Sequence, residues 1–153
     1  KLIAINSAGM GIVSKTTKMY YGCANLLSAN IYNAILLNAD VSYIFHSCTA
    51  LTSVPLFNLA RVTNATNMFY QCTALTTVPL LNLSNCTNAT NMFFGVTLTT
   101  QSYSDFLINL ATLPLQSGVS FHGGNSKYNP TAAIARAYLI SNFGWTITDG
   151  GAA

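Results

Sequence analysis

Glutamate does not occur in this chain of 153 residues, and charge of either sign is scarce. Lys1, Lys15, Lys18, Lys127, Arg61 and Arg136 are balanced only by Asp40, Asp105 and Asp149. Charged residues therefore make up 6% of the sequence, against about 25% in an ordinary soluble domain. Three carboxylates so far apart in sequence argue against a paired-carboxylate hydrolase. The net charge of +3 is scattered, with no basic run and no nucleic-acid-binding motif, so no nucleic-acid partner is expected. Long apolar runs are missing too. The most apolar stretch, 31–37, is short and interrupted by Asn33, far below the roughly 20 residues of a membrane span. No signal peptide opens the chain, yet Lys1 is no natural start, so a processed protein or a piece of a longer one is expected. Phosphate loops and dinucleotide fingerprints are absent. His122-Gly123-Gly124 has the look of an oxyanion loop, but no Gly-x-Ser-x-Gly elbow supplies a nucleophile, and a turn closing a strand accounts for the glycines. Neither CxxC nor paired His accompanies the four cysteines. No catalytic residue, metal site or cofactor is expected, and the chain is not expected to be an enzyme.

A repeat fills the space left by these absences. Cys48-Thr-Ala-Leu-Thr-Ser-Val-Pro-Leu-Phe-Asn-Leu recurs as Cys72-Thr-Ala-Leu-Thr-Thr-Val-Pro-Leu-Leu-Asn-Leu. Thr63-Asn-Ala-Thr-Asn-Met-Phe-Tyr recurs in the same way, starting at Thr87 and ending in Phe94. A period of this length belongs to solenoids of stacked units, each unable to bury its apolar face alone. One half of the unit, at 50–54 and 74–78, alternates and is β-rich, so it reads as a short strand closed by Pro55 or Pro79. The other half spaces Ala65, Met68, Phe69 and Cys72 at i, i+3, i+4, i+7, which reads as one face of a helical turn. Leu51, Val54, Met68, Phe69, Cys72, Leu75, Val78, Met92 and Phe93 are the expected core. Leu2-x-x-Ile5 takes the place of Leu51-x-x-Val54, so the first residues begin in mid-repeat. The second repeat is degenerate, with Asn30 where its neighbours carry proline.

Stacking converts equivalent positions into columns about 4.8 Å apart. Cys23, Cys48 and Cys72 form one column, expected inward and reduced, while Cys86 takes the place of Val62. Tyr21, His46, Tyr70 and Phe94 form a second, expected at least partly outside and proposed as the binding stripe. Thr52, Thr76, Thr99 and Thr146 would form a third on the strand side, read as ordinary outward threonines. The triplets starting at Asn64, Asn82, Asn85 and Asn88 match the N-glycosylation pattern, which chance and repeat copying account for in a chain this rich in Asn and Thr.

After Val96 the repeat decays. Ser102-Tyr-Ser-Asp105 reads as a capping box opening a helix with Phe106, Leu107 and Leu110 inward and Pro114 as its stop. Asn129-Pro130 reads as N-cap and first helical position of a second helix, with Ala133, Ala137 and Ile140 inward and Gly144 as its end. Strands are expected around Val119 and Ile147, with Leu98 as a further strand centre. Residues 1–100 are thus expected as repeats and 101–153 as two enlarged units that cap them, in one continuous domain.

Units of the form Asn-x-x-Met-Phe-x-x-Cys-x-x-Leu-Thr-x-x-Pro, over about residues 19 to 100, resemble the BspA-like leucine-rich-repeat proteins, in the variant first noted in mycoplasma surface proteins. The tail, from Gly124 through Arg136 to Gly150, resembles the C-terminal end of such proteins in bacteria and phages. The resemblance implies an α/β leucine-rich-repeat solenoid, with short parallel strands, helical turns on the other face and a C-terminal α/β cap. It also implies a non-enzymatic structural or adhesion module, extracellular, at a cell surface or on a virion. Its partners would be other subunits of an assembly, a second copy, or a surface receptor or glycan. A carbohydrate-binding module acting alone is the competing expectation.

Overall fold

The computed structural model describes residues 4–6, 17–30, 40–56 and 59–153. Leu2 lies outside them.

Short polar side chains start each repeat. The Asn64 Oδ1 accepts the Thr66 N–H at 3.0 Å, and Asp40 and Asn88 do the same for Ser42 (2.8 Å) and Thr90 (3.0 Å). This is the turn-forming habit of Asp and Asn, and it gives the Asn-x-Thr triplets a structural purpose. Asp40, Asn64 and Asn88 are also bridged in parallel, each to the next.

From Asn64 onward two sets of backbone bonds alternate. The N–H groups of Met68, Tyr70 and Cys72 donate three residues back, to the carbonyls of Ala65, Asn67 and Phe69 (3.1–3.2 Å). Those of Ala65, Asn67, Phe69 and Gln71 donate to Asn88, Thr90, Met92 and Phe94 in the next repeat, at 2.8, 3.0, 2.9 and 2.8 Å. Left-handed backbone at Asn67 (φ 54°) and Gln71 (φ 58°) repeatedly takes the chain out of a helical path. The segment expected as a helical turn is therefore a series of reverse turns. It preserves the expected inward set, since Ala65, Met68, Phe69 and Cys72 are all fully buried. Tyr43, Ser47 and Asn91 repeat the left-handed backbone at equivalent places, and glycine fills it at Gly22 and Gly95.

The other half of the repeat is less regular. Strand β1 (Ala4–Asn6) pairs in parallel with β2 (Ser28–Asn30), Ile5 opposite Ala29. Ser28 also bridges Ser53, so the register leads from Ile5 to the neighbourhood of Val54. The strands expected at 50–54 and 74–78 do not form beyond that single bridge. Pro55 and Pro79 lack the N–H that a continuing ladder requires. Leu51, Val54 and Leu75 are nonetheless buried, and Val78 packs half-buried on the same core.

The C-terminal part runs helix, strand, helix, strand. Helix α1 (Thr100–Leu110) is capped by Thr99, whose hydroxyl accepts the Ser102 N–H at 3.2 Å. Ser102 is thus inside the helix, not its cap, and its hydroxyl accepts the Val78 N–H (3.1 Å). Phe106, Leu107 and Leu110 are buried as expected. Helix α2 (Pro130–Phe143) has the expected Asn129 cap, proline start and left-handed Gly144 end. Its inward residues are Ala132, Ala135 and Leu139 rather than Ala133, Ala137 and Ile140. The helix is apolar nearly all round, so its periodicity carried no phase; Arg136, which must reach Asp149, fixes it. Strands β3 (Ser120–His122) and β4 (Thr146–Thr148) pair in parallel, and Phe121 bridges Ala89, which continues the stack. The pairing residue is Phe121, not Val119. No strand forms at Leu98, whose N–H donates to the Ser126 hydroxyl at 3.0 Å.

One buried polar cluster ties this end together. The Asp149 Oδ2 accepts from Arg136 Nε at 2.8 Å and from the Tyr103 hydroxyl at 2.9 Å. Its Oδ1 accepts the Gly151 N–H (3.1 Å), and Arg136 Nη2 donates to the Ile147 carbonyl (3.1 Å). Both helices and the end of β4 thus meet on one carboxylate.

Candidate ring column and groove

Each repeat carries two consecutive rings, one facing in and one facing out. Tyr20, Phe45, Phe69 and Phe93 form the inner column, with centroids 5.3, 5.5 and 5.2 Å apart and planes within 6°. Tyr21, His46, Tyr70 and Phe94, the residues expected as a binding stripe, form the outer one. Their centroids are 4.6, 4.6 and 4.9 Å apart, with planes within 11°. All four expected residues are therefore brought together. Tyr21 is 51% exposed, Phe94 39%, and His46 and Tyr70 are half-buried.

Stacking at this spacing leaves the ring edges outward and the faces covered by neighbouring rings. Both columns end edge-on at their C-terminal side: Phe106 and Phe121 meet Phe93 at 87° and 81°, and His122 meets Phe94 at 65°. At the other end Lys18 places its Nζ 6.0 Å from the Tyr21 ring and 5.6 Å from Tyr43. Sequence reasoning missed Tyr43, which lies 5.6 Å from His46. Aligning Tyr43 with Asn67 and Asn91, the equivalent left-handed positions, would have placed it beside the column. Desolvation lowers the pKa of both His46 and His122, so each is held neutral further into the acid range than a free imidazole.

The thiols follow the inner column. Cys48 donates to the Tyr20 carbonyl and Cys72 to the Phe45 carbonyl, both at 3.0 Å. Cys48, Cys72 and Cys86 are buried, Cys23 is half-buried, and none is bridged. Burial pushes the Cys48 and Cys72 thiols up to about 12. At pH 8 the thiolate fraction of each is then on the order of one in 10⁴. Denatured protein without reductant should release four free thiols, while the native protein should alkylate first at Cys23 and far more slowly at Cys72. Two or fewer free thiols, or equal native rates, would contradict this arrangement.

The other expected features have structural uses. The Gly124 N–H donates to His122 Nδ1 at 3.0 Å, and a side chain at Gly123 would meet the Tyr103 hydroxyl. The threonines expected outward, Thr52, Thr76, Thr99 and Thr146, are all exposed. Thr52 donates to the Leu27 carbonyl, the Thr99 N–H donates to the Thr76 carbonyl while its side chain caps α1, and Thr146 of β4 pairs with Ser120 of β3. Among the described residues, no group of three or more His, Cys, Asp or Glu is placed to hold a metal, and no helix is long and apolar enough to cross a membrane.

A second surface was not foreseen. A groove of about 620 Å³ separates the irregular segment 77–80 from the outer side of α1. Pro79 and Leu80 form one wall, and Gln101, Asp105, Asn109 and Thr112 form the other. The signal for it is in the sequence, because Gln101, Asp105 and Asn109 fall on one face of the helix, opposite its apolar side.

A family model described as a Mycoplasma protein of unknown function, DUF285, matches residues 4–106, well over half of the chain. No curated protein and no solved structure matches it.

Proposed function

We propose that this chain, which belongs to the DUF285 family of Mycoplasma proteins of unknown function, acts without catalysis as a structural or adhesion module, by protein–protein contact along its outer ring column. In this reading the stack is a leucine-rich-repeat solenoid of the BspA-like kind. Residues 1–100 form its repeats, 101–153 its cap, and its place is extracellular, at a cell surface or on a virion. The observation that carries the proposal is the unbroken column of Tyr21, His46, Tyr70 and Phe94, with centroids 4.6–4.9 Å apart. An ordered apolar strip of this kind suits a protein interface, where aromatic anchors dominate the contact energy. The scarcity of charge elsewhere on the chain points the same way.

The geometry favours a protein partner at the column over a sugar. Sugar rings pack against aromatic faces, and here each inner member of the column has both faces taken by its neighbours. Edges remain, and edges pack well against aliphatic and aromatic side chains. Replacing both Tyr70 and Phe94 by Ser should leave the far-ultraviolet circular dichroism unchanged. It should also shift sedimentation from a self-associated species to the monomer. If wild type and variant sediment alike and bind surfaces alike, the column is packing only.

A further inference from the structure

We propose that the groove between the 77–80 segment and α1 is a binding site for a neutral oligosaccharide. It shares no residue with the ring column, and the proposal does not depend on the function assigned to that column.

The argument starts from the helix. Gln101, Asp105 and Asn109 are four residues apart and stand on one face of α1, and Thr112 lines the groove just beyond the helix end. Each four-residue step advances about 6 Å along the helix axis, comparable to the length of one pyranose unit. The wall is already partly engaged in bonds of its own. Gln101 Nε2 already donates to Asp105 Oδ1 (2.8 Å), Asn109 Nδ2 to the Leu81 carbonyl (3.4 Å), and the Thr112 hydroxyl to the Asn109 carbonyl (2.7 Å). No hydrogen bond within the described residues engages Asp105 Oδ2, Gln101 Oε1 or Asn109 Oδ1. The Gln101 and Asn109 amide nitrogens each keep a second N–H, so the wall offers acceptors and donors together and suits a ligand whose groups can do both, as hydroxyls can.

The facing wall asks for something else. Pro79 and Leu80 present aliphatic surface, with Leu80 52% exposed. A ligand that fills the groove must then carry hydroxyls along one edge and C–H surface on another, which describes a pyranose chain. The volume lies within the ~300–1,000 Å³ usual for ligand sites, enough for a short oligosaccharide. Charge narrows the class. Among the described residues Asp105 is the only charged one lining the groove, so an acidic glycan is repelled, and a basic peptide finds a single exposed carboxylate to pair with.

The test is a titration of the isotope-labelled chain, followed by backbone amide shifts. Cellohexaose, maltohexaose and chitohexaose serve as neutral probes, with hexagalacturonate and pentalysine as charged comparators. At least one neutral hexaose should shift the amides of 77–80 and of α1. Asp105→Ala and Asn109→Ala, both on the outer side of α1, should each weaken that binding about tenfold, the loss of one good hydrogen bond, with the rest of the spectrum unchanged. The proposal is overturned if no neutral hexaose shifts these amides at roughly 10 mM, or if the shifts fall elsewhere. Preferential binding of hexagalacturonate or pentalysine in the groove, or binding unaffected by both substitutions, overturns it equally.

Discussion

Phe69→Ala should lower the unfolding free energy by about 3–5 kcal/mol, the usual cost of removing a buried phenyl ring. The ring is fully buried and sits between Phe45 at 5.5 Å and Phe93 at 5.2 Å, so its loss strips two stacking contacts as well as its own burial. The cavity has little chance to collapse. The backbone above and below is held by the Phe69 N–H to the Met92 carbonyl and the Phe45 N–H to the Met68 carbonyl, at 2.9 and 3.0 Å. In a linear stack each unit is stabilised by its two neighbours, so damage in the middle uncouples both sides. Denaturant unfolding of Phe69→Ala beside Phe69→Leu measures it. A change under 1 kcal/mol for the alanine variant would mean that the inner column does not bear the core.

The second large effect is electrostatic. Asp149→Ala should cost about 3 kcal/mol or more, since it leaves a partly buried cation without its counter-charge. The Asp149 side chain is only 3% exposed, and it satisfies both Arg136 and the Tyr103 hydroxyl. The same burial and the neighbouring carboxylate raise the Tyr103 pKa, so the phenol stays a donor throughout the working range. Asp105→Ala is the matched control, because its carboxylate is exposed and its loss should lie within about 0.5 kcal/mol of wild type. Equal midpoints for the two variants in a urea titration would remove the cluster as the anchor of the C-terminal part.

What could be read from the sequence divides along physical lines. The repeat length was legible because side chains that must stack are copied, and Asp40, Asn64 and Asn88 do bridge in register. The inward set was legible for a reason that also misled. A helical face and a chain of four-residue reverse turns both bury i, i+3, i+4 and i+7, so Ala65, Met68, Phe69 and Cys72 could not distinguish them. What distinguishes them is left-handed backbone at Asn67 and Gln71. Asn tolerates that conformation openly, but Gln71, Tyr43 and Ser47 give no sign of it. The outer column followed from the inner one, since Tyr70 and Phe94 stand next to Phe69 and Phe93 in the chain.

The C-terminal part was less legible because it no longer repeats. Thr99 caps α1 three residues ahead of the better-looking Ser102, which is occupied with the Val78 N–H. In α2, Ile134 is 75% exposed while Leu139 is buried, an assignment that composition cannot make. The groove itself is not legible in the sequence because polar residues on a helix read as solvated surface until a neighbouring segment stands opposite them.

The ladder between repeats is the claim on which the rest depends, since it sets the ring spacing and turns alternate N–H groups toward the next unit. Scalar couplings transmitted across hydrogen bonds, measured by NMR on isotope-labelled chain, report donor and acceptor directly. Couplings from the Asn67 amide to the Thr90 carbonyl and from the Gln71 amide to the Phe94 carbonyl are expected, matching the 3.0 and 2.8 Å bonds. Couplings from these amides to carbonyls four residues back would instead establish a helix in each repeat and contradict the account.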